Sequence, residues 1–284
     1  MNKYEKVIVL GSGDLPLSCA LTSLEYVKDV EVVEIKISTG SFLERKCITG
    51  GIKYRALTKQ EITDYLMSVS VNTLVVSASS TYLVPAKVIA NPFMTIINWH
   101  NALLPLHKGR NAEAWAIYEG DTKTGITWHL ITKDVDAGDI ILSSPIEITS
   151  DMTALSLFKK QISLGAETFK DIASDIFSGS LKTVPQAVDL MSKLHYSKDI
   201  PNEGFLDLSW DFDSTGRFLR AMDYGSLLLM GPMKVKIGDD IFFFRKYVFT
   251  KSEGLLEGFD GDDYVLIKGD DAVILKRLKK DAQI

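Results

Sequence analysis

Short β-branched runs alternate with amphipathic segments over the first hundred residues, and this limits the fold more than any other feature. KVIVL (6–10), VEVVEIKI (30–37), NTLVVSAS (72–79) and FMTIINWH (93–100) read as strands. Between them lie an apolar stretch after Asp14, TKQEITDYLMS with Thr58 and Glu61 spaced as a capping box, and LVPAKVIA, all read as helical. Strands that are apolar nearly throughout are buried on both faces. The expected fold is therefore α/β, a Rossmann-like, mostly parallel sheet covered by helices. The stretch 38–51 reads as a loop.

After GRNAEAWAIYEGD (109–121), read as helical, the pattern changes. TGITWHLIT and DIILSSPIEIT are strand-like with no helix between them, so part of the sheet is expected to be antiparallel. A long helix fits residues 153–179, closed by Gly179. The division this predicts is a catalytic domain over 1–180, a linker over 181–204 and a small β-rich domain over 205–284. MKVKI, IFFFRKYVF, DYVLIK and AVILKRL supply the strands of the last.

Net charge is −5, which argues against broad electrostatic binding to nucleic acid or anionic membrane. The two cysteines, Cys19 and Cys47, form no metal-binding or redox motif, and the first apolar run is too short for a signal or membrane segment. A cytoplasmic protein is expected. GSGDLP lacks the third glycine of a dinucleotide fingerprint, with Pro16 in its place. Neither a nucleophile elbow nor an HExxH zinc motif occurs.

INWHNALLPLHKGR carries the chemistry. Alternate residues of a strand share a face, so Asn98 and His100 point one way and Trp99 the other. They fall at the end of a strand, where open α/β sheets bind ligands. An amide N–H can stabilise a developing oxyanion, and an imidazole exchanges protons near neutral pH. A carboxylate would orient such an imidazole, and DVDAGDII offers Asp134, Asp136 and Asp139, with Asp136 in a tight loop. His107 and His195 read as surface residues.

These residues, with Leu103-Leu104-Pro105, Gly109, Thr124-Gly125-Ile126-Thr127 and Gly138, resemble in order the core of the 10-formyltetrahydrofolate-dependent formyltransferases. The likeness covers roughly residues 5–180. It implies a catalytic trio of Asn98, His100 and Asp136, 10-formyltetrahydrofolate as co-substrate, and no metal. Direct attack of an amine on the formyl carbon follows, with Asn98 and protonated His100 stabilising the oxyanion and Asp136 holding His100 in that state.

The resemblance also implies a pterin pocket lined by Tyr82, Leu83 and Val84, with Ile131, Thr132 and Val135 reading the pterin edge through their backbone. Leu83 and Val84 suit plain helix packing equally well. His129 suits either a supporting role beside the cofactor or a buried structural one. Lys108 and Arg110 read as solvated charge or as contacts to a phosphate or carboxylate; Glu113 and Trp115 shape an acceptor pocket or belong to the core.

In its overall phrasing the chain is most similar to formyltransferase modules of natural-product assembly, which implies an amino acid or carrier-bound aminoacyl acceptor. The alternatives are an amino-deoxysugar on a nucleotide diphosphate, methionyl-tRNA, and hydrolysis of the formyl-folate. The tRNA reading is weakened by the thin basic character of STGSFLERKCITGG, and the hydrolase reading by a first strand that begins almost at Met1. The Phe242-Phe243-Phe244 run and SLLLMG raise a homodimer as a further expectation.

Overall fold

The computed structural model describes residues 3–37, 40–187, 193–227 and 229–280. Residues 188–192 of the expected linker and Leu228 of the SLLLMG run lie outside the described residues. The chain divides into two compact units, each built from several chain segments. The first comprises Met1–Gly109, Gly125–Ile146 and Lys159–Leu194; the second comprises Arg110–Thr124, Glu147–Phe158 and His195–Ile284.

The first unit is organised around a seven-stranded sheet ordered β3-β2-β1-β4-β5-β7-β8. Its strands are β1 (Lys6–Leu10), β2 (Asp29–Ile35), β3 (Lys53–Leu57), β4 (Thr73–Ser77), β5 (Met94–His100), β7 (Lys123–Leu130) and β8 (Ile140–Glu147). The two-residue β6 (Lys108–Gly109) pairs separately with β9 (Leu194–His195). Strands β1 to β5 are parallel and β7 joins β5 antiparallel, so part of the sheet is antiparallel, as expected. The apolar strands sit in the middle: Val7 to Leu10 and Leu74 to Val76 are fully buried.

Helices α1 (Asp14–Leu24), α2 (Phe42–Thr49), α3 (Lys59–Met67) and α4 (Ala86–Ile89) fill the crossovers. The expected capping box at α3 is present: Thr58 Oγ1 accepts from the Glu61 N–H and the Glu61 carboxylate accepts from the Thr58 N–H. Two elements depart from the sequence reading. Much of the stretch read as a loop over 38–51 is α2, started by Ser41, whose hydroxyl accepts from the Leu43 and Glu44 N–H groups. KYRAL forms the edge strand β3, held to β2 by a backbone ladder and by Arg55 paired with the buried Glu31. Both cysteines are buried and free.

The second unit contains α5 (Ala112–Glu119) packed on α7 (Phe212–Ala221), while the long α6 (Ala154–Ser178) contributes residues to both units. Two four-stranded sheets complete it. One is ordered β10 (Phe205–Leu206), β11 (Met233–Ile237), β12 (Asp240–Phe244), β17 (Lys279–Lys280); the other β13 (Lys246–Lys251), β16 (Asp271–Lys276), β15 (Asp263–Lys268), β14 (Gly258–Asp260). IFFFRKYVF is thus two strands. The chain breaks at Arg245, where it leaves one ladder for the other, and Phe244 is buried while Arg245 is exposed.

One close contact seats the functional strand. Trp99 and Trp128 are register partners on β5 and β7, on the face opposite Asn98. Trp128 donates from Nε1 to Thr168 of α6 at 3.1 Å. Trp99 lies so near Gly165 that a Cβ there would sit 2.5 Å from its indole nitrogen. Gly165→Ala is therefore expected to destabilise the protein by about 1–3 kcal/mol through overpacking, read as a lower urea midpoint at unchanged m-value.

Candidate active site

The strand register builds the site. Antiparallel pairing sets Asn98 opposite His129 and His100 opposite Thr127 on a single face. Asn98 Nδ2 lies 3.1 Å from His129 Nε2, and His129 Nδ1 lies 2.9 Å from the Leu130 carbonyl. A carbonyl only accepts, so His129 Nδ1 carries a proton, and its Nε2 faces both the Asn98 amide and the Asp136 carboxylate.

His100 is 4% exposed. Its Nε2 donates to the His107 carbonyl at 2.9 Å, which leaves Nδ1 as the nitrogen that titrates. Nδ1 faces Asp136 Oδ2 at 3.4 Å. The other carboxylate oxygen, Oδ1, lies 3.5 Å from His129 Nε2, and Oδ2 also accepts from the Gly109 N–H at 2.8 Å. One carboxylate thus touches both imidazoles and the loop after β5. The sequence reading placed Asp136 against His100, and the coordinates bring them together.

The burial that surrounds these groups sets their protonation. Desolvation lowers the pKa of His100 below its ordinary 6.5, and the Asp136 charge opposes that only in part. Burial acts to raise Asp136, but His100, then His129, and the Gly109 N–H outweigh it and hold the carboxyl well below the usual range.

Two side chains, Thr127 and Gln161, hold the loop from Asn101 to His107. Thr127 Oγ1 donates to the Ala102 carbonyl at 2.7 Å and accepts from the Leu104 N–H at 3.1 Å. Its one proton being used, the 3.1 Å contact with Ser143 has the Ser143 hydroxyl as donor. Gln161, fully buried on α6, donates to the carbonyls of Asn101 and Gly125. Thr127 belongs to the Thr124–Thr127 motif that carries the resemblance, which marks the residue but not these contacts. Gln161, sixty residues from its partner Asn101, gave no sequence signal.

The expected pterin-pocket residues fall in two loops at the carboxyl ends of β4 and β7. Tyr82 points inward: its hydroxyl is 2.8 Å from Thr63 Oγ1, and its ring belongs to a core cluster with Ile8, Leu10 and Val75. Val84 and Ile131 pack against that same cluster. Leu83 is 75% exposed and Val135 42% exposed, and Thr132 is also at the surface. Exposed apolar side chains of this kind suit a flat, amphipathic ligand. Among the described residues no cluster of His, Cys, Asp and Glu is placed to hold a metal ion, and no helix is long and apolar enough to cross a membrane.

His107 and His195, read as surface residues, are both buried, at 7% and 6% exposure. His107 adopts a left-handed backbone that turns its carbonyl to His100, and His195 stacks on Trp115 with ring centroids 4.1 Å apart. Within the second unit Glu113 is buried and accepts from the Tyr224 hydroxyl at 2.6 Å. Arg110 is exposed and Lys108 half-buried.

Protonation links the site to stability. Folded His100 takes up a proton less readily than the unfolded imidazole, so below pH 6.5 the unfolded chain binds more protons and stability falls with pH. Depressed Asp136 acts in the same sense at still lower pH, its contribution being lost as pH falls through its folded pKa. Urea denaturation between pH 8 and 5 should show this loss in the wild type, and a shallower one in His100→Gln.

Residues 27–171, just over half of the chain, match the family described as formyl transferase. A GDP-perosamine N-formyltransferase from Brucella melitensis is 25% identical over 246 residues, 84% of this chain and 91% of that protein. A methionyl-tRNA formyltransferase from Acetivibrio thermocellus is 36% identical over 113 residues, but these are 40% of this chain and 36% of that one. In fold, the chain superposes with a TM-score of 0.75, at 17% identity and over 97% of its length, on the Helicobacter canadensis N-formyltransferase solved with folinic acid and dTDP-3-aminofucose. The chain belongs to the formyl transferase family and is an N-formyltransferase.

Proposed function

We propose that the protein transfers the formyl group of 10-formyltetrahydrofolate to the amino group of a nucleotide-linked amino-deoxysugar. The carrying observation is the convergence of Asn98, His100 and Asp136 at the end of β5. The acceptor class rests on the extent of the likeness, which takes in 91% of the GDP-perosamine enzyme but 36% of the tRNA enzyme. The sequence reading puts an amino acid or carrier-bound aminoacyl acceptor first, on the phrases GRNAEAWAIYEGD, TGITWH, DAGDI and FLRAMDYG. TGITWH and DAGDI lie in β7 and the Asp136 loop and report the shared chemistry, while the other two lie around α5 and α7. Lys108 and Arg110 flank the Gly109 whose N–H binds Asp136, and they supply positive charge for a diphosphate.

The folate supplies an activated formyl group, held against Leu83, Val84 and Val135 with backbone groups of Ile131 and Thr132 at the pterin edge. Asn98 donates an amide hydrogen to the formyl oxygen as negative charge builds there, with His129 3.1 Å from the amide nitrogen. The acceptor nitrogen bonds to the formyl carbon and gives up a proton. His100 Nδ1 takes up that proton, directly or through water, and Asp136 offsets the charge it creates. The same proton then passes to the folate nitrogen as its bond to the formyl carbon breaks, leaving a formamide on the sugar. Each group returns to its starting state.

Asn98→Ala and Asp136→Asn are expected to lower kcat by about 10²–10³, with formyl-folate affinity changed no more than a few-fold. In a panel of GDP- and dTDP-linked aminosugars, amino acids, carrier-loaded aminoacyl groups and methionyl-tRNA, a formyl mass gain is expected on an aminosugar. Modification of an aminoacyl acceptor alone would overturn the acceptor assignment and leave the chemistry standing. Near-normal turnover in both variants would overturn the chemistry.

A further inference from the structure

Asp136 does not hold its own position. Its backbone is left-handed, with φ at +48°, a region uncommon for residues with a side chain although aspartate enters it more readily than most. The residues before it, Thr132 to Val135, are exposed. Gly138, two residues on, sits so tightly that a Cβ there would lie 1.9 Å from the Leu130 carbonyl oxygen. A loop with so few anchors needs a partner for the carbonyls it turns inward.

That partner comes from the segment after α6. Val184 and Ile140 exchange two backbone hydrogen bonds of 2.8 Å, and Thr183 Oγ1 donates to Asp139 at 3.3 Å. Gln186 then reaches the loop, its Nε2 donating to the Asp136 carbonyl at 3.0 Å and to the Gly138 carbonyl at 2.7 Å. Both amide hydrogens are used, and a flipped amide would set its oxygen against two carbonyl oxygens, so the orientation is fixed. The amide oxygen is buried with no partner among the described residues. Burying it costs stability, which packing alone does not explain.

We infer that Gln186 is a positioning residue for Asp136, its amide clamping the carbonyls on either side of Ala137 and so setting the carboxylate against His100 Nδ1. The inference rests on the catalytic reading above, in which Asp136 must meet His100 as the proton arrives. Residue 186 is fifty positions from Asp136, within the stretch the sequence reading treated as a linker. Its partners are backbone carbonyls, which leave no trace in residue types. The Val184–Ile140 bonds do not involve Gln186, so the segment stays docked when the side chain is changed.

Gln186→Glu and Gln186→Ala separate the clamp from packing. The first keeps the shape of the side chain and removes both donors; the second removes the side chain. Both are measured beside Asp136→Asn, with formyl-folate and whichever amine the panel identifies. The expected result is a fall in kcat approaching about 10²-fold in both, with KM for the folate changed by less than about three-fold, well inside the range that intact binding allows. In Gln186→Ala, which adds no charge, the acid limb of the kcat–pH profile should also move to lower pH, because His100 loses the carboxylate that favours its charged form. Wild-type kcat in either variant, with an unmoved limb in Gln186→Ala and with Asp136→Asn inactive, would overturn the inference alone. Wild-type turnover in Asp136→Asn would overturn the catalytic reading, and the inference with it.

Discussion

A single buried carboxylate organises this site. Asp136 meets His100 through one oxygen and His129 through the other, and takes the Gly109 N–H as well. Burial by itself would leave Asp136 protonated and His100 neutral. The carboxylate stays ionised because two imidazoles and a backbone N–H face it. His100 stays poised below its ordinary pKa, able to release a proton that it has just accepted. The catalytic economy proposed here follows from that tension: proton transfer needs a base that is weak enough to let go and a charge nearby that makes acceptance tolerable.

The sheet supplies the geometry. Because β7 runs antiparallel to β5, with Asn98 facing His129 and His100 facing Thr127, four functional side chains line one face without any loop having to carry them. The opposite face sets Trp99 and Trp128 against α6, where Gly165 and Thr168 receive them. The strand that presents the amide and imidazole is thereby pinned from behind by rigid aromatic packing. Precision at the reacting face is a property of the core, as sites on strands generally require.

What the sequence revealed follows from local periodicity. Alternation put Asn98 and His100 together, the β-branched runs gave the parallel sheet, and Thr58 with Glu61 marked the start of α3. Contacts set by the fold were not legible. Gln161 and Gln186 act on backbone carbonyls far away in the chain, and no pattern of residue types announces a carbonyl. His107 and His195 looked like polar loop residues because their burial comes from the fold, as where the Trp115 ring stacks on His195. Helix α2 was missed because FLERKCIT has only two buried positions, Leu43 and Cys47, too few to print a period. The acceptor was least legible of all, since the motifs that mark this family sit where formyl transfer happens and not where the amine is recognised.

The central claim concerns which nitrogen of His100 exchanges the proton and what tunes it. Imidazole ¹⁵N NMR of the wild type and of Asp136→Asn, followed across pH, tests it most directly. The account predicts that Nε2 keeps its proton throughout, that Nδ1 titrates, and that the midpoint drops when the carboxylate is neutralised. An identical midpoint in the two proteins, or a neutral ring carrying its proton on Nδ1, would contradict it.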